Sequence, residues 1–261
     1  MLSKNRSKFI LSLRNKKERD KERLFVIEGD KIVREFLSAG EPVRYLYASE
    51  GFLKSLTPVL LKNVNETGEV NENELRQISS LKTPHNALAV IPFTEKHFDA
   101  DRILGSTCAA LDVVQDPGNL GTIIRAAAWF GIKNIICSKD CADVYNPKTV
   151  QASMGAILHV NVWYRNLRDI LILANSKEVP VYGAVLEGDS IYDKKTGESG
   201  IILLGNESKG ISDELMPLIT DRIKIPGIGT AMPGIESLNV GMAASVIFSE
   251  FLRKSGRLHS L

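Results

Sequence analysis

TCAALDVVQDPGNLGTIIR, residues 107–125, decides the fold class. Its first part, 107–114, is an apolar run without polar alternation, as expected of a strand covered on both faces in a parallel α/β sheet. A helix is predicted over 119–130, with Gly131 as its stop. The turn between them, Asp116-Pro117-Gly118-Asn119-Leu120-Gly121, lies where open α/β sheets bind ligands. Gly118 and Gly121 permit a tight turn and a close backbone approach, and Asn119 is placed to cap the helix. A glycine-rich turn alone is shared by many nucleotide binders. This one fits neither G-x-G-x-x-G nor the phosphate-loop spacing, which speaks against a dinucleotide or ATP site. Arg125 is open to two readings, a functional side chain or a surface salt bridge.

Working outward, the alternation continues. Strands are predicted over 134–137, 160–163, 181–185, 200–204 and 222–225, and helices over 147–154, 166–176, 212–218 and 238–252. Upstream, a basic amphipathic helix over 4–23 precedes a strand over 24–27, a helix over 30–39 and a strand over 43–48. A helix over 52–61 with an internal Pro58, a helix over 71–80 and a strand over 87–91 follow. The polar stretch 92–105 reads as a connection. The expected organisation is a small α/β domain over 1–95, a linker over 96–106 and a second α/β domain with a parallel sheet over 107–261.

Two further segments carry polar residues at strand ends. In Ile201-Ile202-Leu203-Leu204-Gly205-Asn206-Glu207-Ser208-Lys209-Gly210-Ile211 an apolar strand runs into a turn with two glycines and one acid. By itself it reads as a strand–turn–helix link with Ser212 as N-cap. In the third segment Ile223-Lys224-Ile225 stops at Pro226-Gly227, and Glu236-Ser237-Leu238-Asn239-Val240-Gly241-Met242-Ala243-Ala244 opens a helix near Ser237. A cap explains Ser237, but not Asn239 inside the first turn, where asparagine is a poor helix former.

Composition narrows the function classes. The chain has 261 residues, 44% of them hydrophobic and 25% charged, with a net charge of only +2. Residues 1–23 hold nine Lys or Arg against three acids, a patch that attracts phosphates or forms a solvated, ion-paired helix face. The first 17 residues also loosely resemble a mitochondrial presequence, but they run straight into the strand at Leu24. Three cysteines without a C-x-x-C pair argue against a disulfide framework or zinc site and suit a reducing compartment, the cytoplasm. His85, His97, His159 and His259 form no ligand spacing, so no metal is expected. No apolar run approaches the roughly 20 residues of a membrane span.

Taken together, N-x-G-x-I-x-R from Asn119 to Arg125, L-L-G-N-E-x-x-G from Leu203 to Gly210, and I-P followed by S-L-N-V-x-M-A-A resemble the three signature motifs of the SpoU (TrmH-like) branch of the SPOUT methyltransferase superfamily. The match covers about 107–254. Residues 1–95 resemble, more weakly, that family's L30e-like RNA-binding extension, mainly in R-L-F-V-I-E-G and H-N-A-L-A-V-I.

The resemblance implies a C-terminal α/β trefoil-knot domain that binds S-adenosylmethionine and methylates the 2′-oxygen of RNA ribose, in ribosomal RNA more readily than tRNA. It implies a homodimer with the active site formed across it. By motif matching, Asn119, Arg125, Glu207, Ser237 and Asn239 are the catalytic candidates. Gly205, Ile225 and Leu238 are the cofactor contacts, with Leu203, Leu204, Pro226 and Gly227 as neighbours and Ala184 as a further candidate. Three departures stand out: Ala126 and Gly241 occupy positions where the family carries hydroxyl or amide side chains, and the 227–235 loop is long. Two alternatives remain at this level. One is a non-catalytic RNA-binding or ribosome-assembly protein on the same fold; the other is an unrelated nucleotide-binding α/β enzyme.

Overall fold

The computed structural model describes residues 2–197, 199–227 and 237–255. The chain divides into two compact units, Met1–Lys96 with Asp143–Leu158, and His97–Ala142 with His159–Leu261.

In the first unit, helices α1 (Lys4–Ser12) and α2 (Lys16–Glu22) lead into β1 (Leu24–Glu28), α3 (Asp30–Ser38), β2 (Tyr45–Ala48), α4 (Glu50–Lys54), β3 (Thr67–Glu69), α5 (Glu72–Ile78) and β4 (Ala87–Pro92). The single helix expected over 4–23 is two, because the Asn15 side chain accepts from Lys17 N and caps a fresh start. The sheet order is β1-β4-β2-β3, with β4 antiparallel to both neighbours and β2 parallel to β3. Side chains of β4 alternate between two cores: Leu88 and Val90 meet Ile10, Leu13 and Leu75, whereas Ala87, Ala89 and Ile91 meet Phe25, Val33 and Phe36.

The second unit contains α6 (Ala100–Leu104), β5 (Thr107–Leu111), α7 (Pro117–Trp129) and β6 (Asn134–Cys137). Helix α8 (Pro147–Ser153) comes next in the chain. The unit then resumes with β7 (Asn161–Tyr164), α9 (Leu167–Ser176), β8 (Val181–Ser190), β9 (Gly200–Leu204), β10 (Asp221–Lys224) and α10 (Val240–Lys254). Its six strands are all parallel, in the order β10-β8-β9-β5-β6-β7. The central strands β5 and β9 are covered on both faces; Cys108, Ala109, Ala110, Leu111, Ile201, Ile202 and Leu203 are fully buried.

Further expectations change. The helix expected over 52–61 is α4 alone and ends at Lys54, ahead of Pro58. Helix α8 belongs to the first unit rather than to the parallel-sheet unit that surrounds it in sequence: Arg19 pairs with Asp143 at 2.5 Å, Tyr145 stacks on Phe93 at 4.0 Å between ring centroids, and Val150 joins the core of Phe25 and Ile27. The stretch expected to be an irregular linker contains α6, which buries Ile103 and Leu104. The helix expected over 212–218 shrinks to one 3₁₀ turn, Met216–Leu218.

Candidate active site at the C-terminal edge of the parallel sheet

Because the strands are parallel, the segments that leave β5, β9 and β10 emerge at one edge of the sheet, and these hold the three motifs. At the first, Asp116 rather than Asn119 is the N-cap of α7; its Oδ1 accepts from Asn119 N at 2.8 Å, with Pro117 at the first helical position. The Asn119 side chain is thereby left for other work. Its Nδ2 donates to Glu207 Oε1 at 2.7 Å, and its Oδ1 accepts from Asn239 Nδ2 at 2.9 Å. The Asn239 Oδ1 accepts from Gly241 N and Met242 N, so Asn239 is itself the N-cap and α10 begins at Val240, not near Ser237. Its place before a helix is thus explained: one amide caps and links at once. Residues 88 and 120 positions apart from Asn119 form a single exposed chain of hydrogen bonds.

Ser237 is exposed and makes no hydrogen bond with the described residues. Arg125 does not join the relay. Six residues at about 100° each place it roughly 240° around α7 from Asn119. It lies instead on an exposed stripe with Thr122 and Trp129, the latter 82% exposed, and has no ion-pair partner among the described residues. Ala126, on another face, is buried, so a small apolar side chain suits its place.

The turn after β9 is closed by paired backbone bonds, Asn206 N to Gly210 O and Gly210 N to Asn206 O, both 2.9 Å. Inside it the Asn206 Oδ1 accepts from Ser208 N and Lys209 N, while its Nδ2 donates to Val113 O at 2.8 Å. Asp112, buried, accepts from both the backbone N and the hydroxyl of Ser212 at 2.7 Å. Val113 has φ +56°, a left-handed conformation that costs a β-branched residue about 1–3 kcal/mol. Sequence reasoning missed the roles of Asp112 and Val113, placed Asn206 only as a motif position and read Ser212 as a helix cap. The one available signal was the acid at 112, set in an otherwise apolar run.

The cofactor candidates suit a ligand gripped by backbone. Leu203 and Leu204 are buried in β9 and hold the turn's root, while Ile225, Pro226 and Gly227 follow β10 directly. The peptide groups of Gly205, Ile225 and Leu238 make no hydrogen bond with the described residues, which leaves amide donors and acceptors for an adenosyl group. At Gly205 a Cβ would fall 2.3 Å from the Gly210 carbonyl carbon, so only glycine fits the turn. Ala184 opens an irregularity: Gly183 pairs with Arg222 but the next pair is Asp189 with Ile223, so 184–188 leave the ladder. Leu238 is half exposed. The long loop expected at 227–235 lies, past Gly227, outside the described residues.

Among the described residues no cluster of His, Cys, Asp and Glu could hold a metal ion, and no helix is long and apolar enough to cross a membrane.

Residues 106–249 match the SpoU rRNA Methylase family, and residues 4–89 match the MRM3-like substrate binding domain. The chain is 30% identical over 236 residues to the 23S rRNA (guanosine(2553)-2′-O)-methyltransferase RlmP of Bacillus subtilis (strain 168), covering 90% of this chain and 91% of that one. A TrmH-family structure from Porphyromonas gingivalis superposes with a TM-score of 0.86 at 39% identity, covering 98% of this chain and 100% of that one. An AdoMet-bound rRNA methyltransferase from Sinorhizobium meliloti does so with a TM-score of 0.83 at 28% identity, covering 97% of each chain. The expected α/β trefoil-knot domain, preceded by a small α/β domain, is the fold of these neighbours. With three motifs converging on one edge of the sheet, the chain belongs to the SpoU rRNA methylase family.

Proposed function

We propose that this S-adenosylmethionine-dependent RNA 2′-O-ribose methyltransferase acts on ribosomal RNA as a homodimer, with Asn119, Glu207 and Asn239 as one half of each catalytic site and Arg125 as the other. The observation that carries this reading is the Asn239–Asn119–Glu207 relay, with Arg125 turned away from it on the outward stripe of α7. A second copy packed on that stripe would return an arginine to each relay. The exposed Trp129 on α7 and Met242 on α10 supply apolar surface for such packing. The B. subtilis relative named for 23S rRNA supports a ribosomal substrate, and the match to a substrate binding domain supports the first unit as the RNA-holding part. The odd cysteine count without a C-x-x-C pair supports a reducing compartment, the cytoplasm.

The chemistry suits these residue types. The backbone of Gly205, Ile225 and Leu238 would hold the cofactor, which would supply an electrophilic methyl group on a sulfonium. A ribose 2′-OH is a weak nucleophile: as its oxygen takes the methyl group, the S–CH3 bond breaks to leave a neutral thioether, and the hydroxyl proton passes to solvent water. Arg125, with five N–H donors and no acceptor, holds the neighbouring phosphate and stabilises the developing oxyanion rather than taking the proton. Asn119 and Glu207 orient the ribose and the incoming arginine, and Ser237 borders the site through its neighbour Leu238.

The test is transfer of labelled methyl to unmodified RNA with mapping of 2′-O-methyl sites. Asn119→Ala and Arg125→Ala should each lose roughly a hundredfold in activity alone. Mixed and re-equilibrated, they should recover activity, because a mixed dimer holds one intact site. Two impaired variants that stay impaired when mixed would refute the shared site, and label confined to tRNA would refute the ribosomal substrate.

A further inference from the structure

The segment between β5 and α7 is bent through Val113, a β-branched residue at φ +56°, in a chain that could have used glycine there. Such strain persists only where surrounding contacts over-determine it. Three groups hold the bend. The Val113 N–H donates to Ser138 Oγ at 3.0 Å, the Val113 carbonyl accepts from Asn206 Nδ2 at 2.8 Å, and Ala142 N donates to Val114 O at 2.8 Å. One residue earlier, Asp112 takes both donors of Ser212. The first motif's approach and the second motif's turn are therefore joined twice, on either side of Glu207: at Asn206 and at Ser212. Among the described residues, no backbone hydrogen bond duplicates these links beyond Asp112 N to Leu204 O at 2.8 Å.

We propose that Asn206 and Asp112 are positioning residues that clamp the cofactor turn, Gly205 to Gly210, onto the bent Val113 segment and so set the distance between Asn119 and Glu207. The inference rests on the catalytic reading given above for those two side chains. Neither clamp residue faces substrate. Asn206 spends its amide oxygen inside its own turn and its amide nitrogen on Val113. Asp112 is buried beneath the turn. Val113 pays the strain that aims the chain into the Asp116 cap, and the clamp keeps it there.

Asn206→Asp is the sharpest variant. The carboxylate keeps the acceptor for Ser208 and Lys209 but loses the donor to Val113. A displacement of about 1 Å at reacting groups costs roughly a hundredfold in rate, so turnover should fall between tenfold and a hundredfold. S-adenosylmethionine affinity, measured by calorimetry, should weaken as well. Amide hydrogen exchange at Ser208, Lys209 and Gly210 should quicken in the cofactor-free protein, with little change in Tm. Adding Val113→Gly removes the strain, because glycine adopts positive φ freely. The double variant should therefore recover turnover and affinity relative to Asn206→Asp. A role limited to overall stability predicts no such rescue. Asn206→Asp with wild-type affinity and exchange would overturn the clamp, as would a loss that Val113→Gly fails to relieve. Asn119→Ala and Glu207→Ala run alongside keep the two ideas apart. Wild-type turnover in those would sink the catalytic reading, while affinity and exchange in Asn206→Asp still judge the clamp.

Discussion

The buried ion pair of the first unit and the relay at the sheet edge of the second use polar side chains in opposite ways. In the first, two charged side chains are buried and bonded inward: Arg19 is 2% exposed and donates to Asp143 Oδ2, Leu13 O and Arg14 O, although its Nε has no partner among the described residues, while Glu28 accepts from Ser79 and Ser80. In the second, Asn119, Glu207 and Asn239 bond across long sequence distances at the end of the parallel sheet, with Glu207 and Asn239 exposed and Asn119 half-buried. Buried pairing holds a chain segment in place. Exposed pairing at a strand edge adds little to stability, because water could satisfy the same groups. What it fixes is orientation, which a catalytic site needs.

That contrast is broken most forcefully at Arg19. Arg19→Met strands the Asp143 carboxylate in a largely buried place, and losing one partner of a buried pair costs about 3–5 kcal/mol. Chemical denaturation should show this loss. Arg19→Met with Asp143→Leu should recover much of it, since a double replacement leaves no uncompensated charge. Asn119→Ala should do the reverse. Methyl transfer should fall by roughly a hundredfold, in the range seen when a preorganised polar group is removed from a reacting centre, while stability shifts by no more than about 0.5 kcal/mol. An Asn119→Ala protein that unfolds easily but turns over normally would erase the distinction between the units.

Local grammar was enough for most of the strands and for the three motif segments; several helix bounds, and partners far apart in sequence, were not legible. The parallel sheet followed from apolar runs such as 107–111, whose burial needs no distant information. The home of α8 depends on Arg19 meeting Asp143, 124 residues on, and no periodicity reports such a meeting. The relay was hidden by competition for caps. Asp116 and Asn119 both make good N-caps, and Pro117 at the first helical position favours Asp116, a signal present in the sequence. At the other helix Asn239 displaces Ser237 because its amide can cap and still donate to Asn119. The β8 excursion at 184–188 had no local signature beyond Gly188, where a Cβ would sit 2.8 Å from the Arg222 backbone.

A smaller effect sharpens the comparison at the junction of the two motif helices. A Cβ on Gly241 would lie 3.0 Å from Thr122 Cγ2 and 3.2 Å from Asn239 Oδ1, tighter than ordinary packing. Gly241→Ser therefore pushes α10 from α7 and strains the Asn239 cap. A cost of about 1 kcal/mol in stability is expected from overpacking, accompanied by a fall in turnover because Asn239 also holds Asn119. Gly241→Ser with unchanged stability and full activity would show that the helices have room to spare.

The smallest effect concerns the ion pair at the start of β10. Lys194 Nζ lies 2.6 Å from Asp221 Oδ1, with both side chains about a quarter exposed. Burial raises the Asp221 pKa, but the hydrogen bonds from Lys194 and Thr220 outweigh it and hold the carboxyl below its usual value. Lys194 is raised, by its bond to Asp221 first, against burial. For an acid with a depressed folded pKa, stabilisation is complete above the unfolded value near 3.9 and disappears as pH falls through the folded one. For a lysine with a raised folded pKa, it is complete below about 10.4 and is lost as pH climbs through the folded value. The pair should therefore stabilise the second unit between about pH 4 and pH 10, by no more than about 1 kcal/mol given its exposure. Tm of Asp221→Asn measured against wild type should lie slightly lower and parallel across that window, and the two curves should meet in stronger acid. Turnover at neutral pH should not move, since neither charge touches the relay. A catalytic change without a stability change would mean that this pair, unlike Arg19 with Asp143, reports to the site through the loop that follows Lys224.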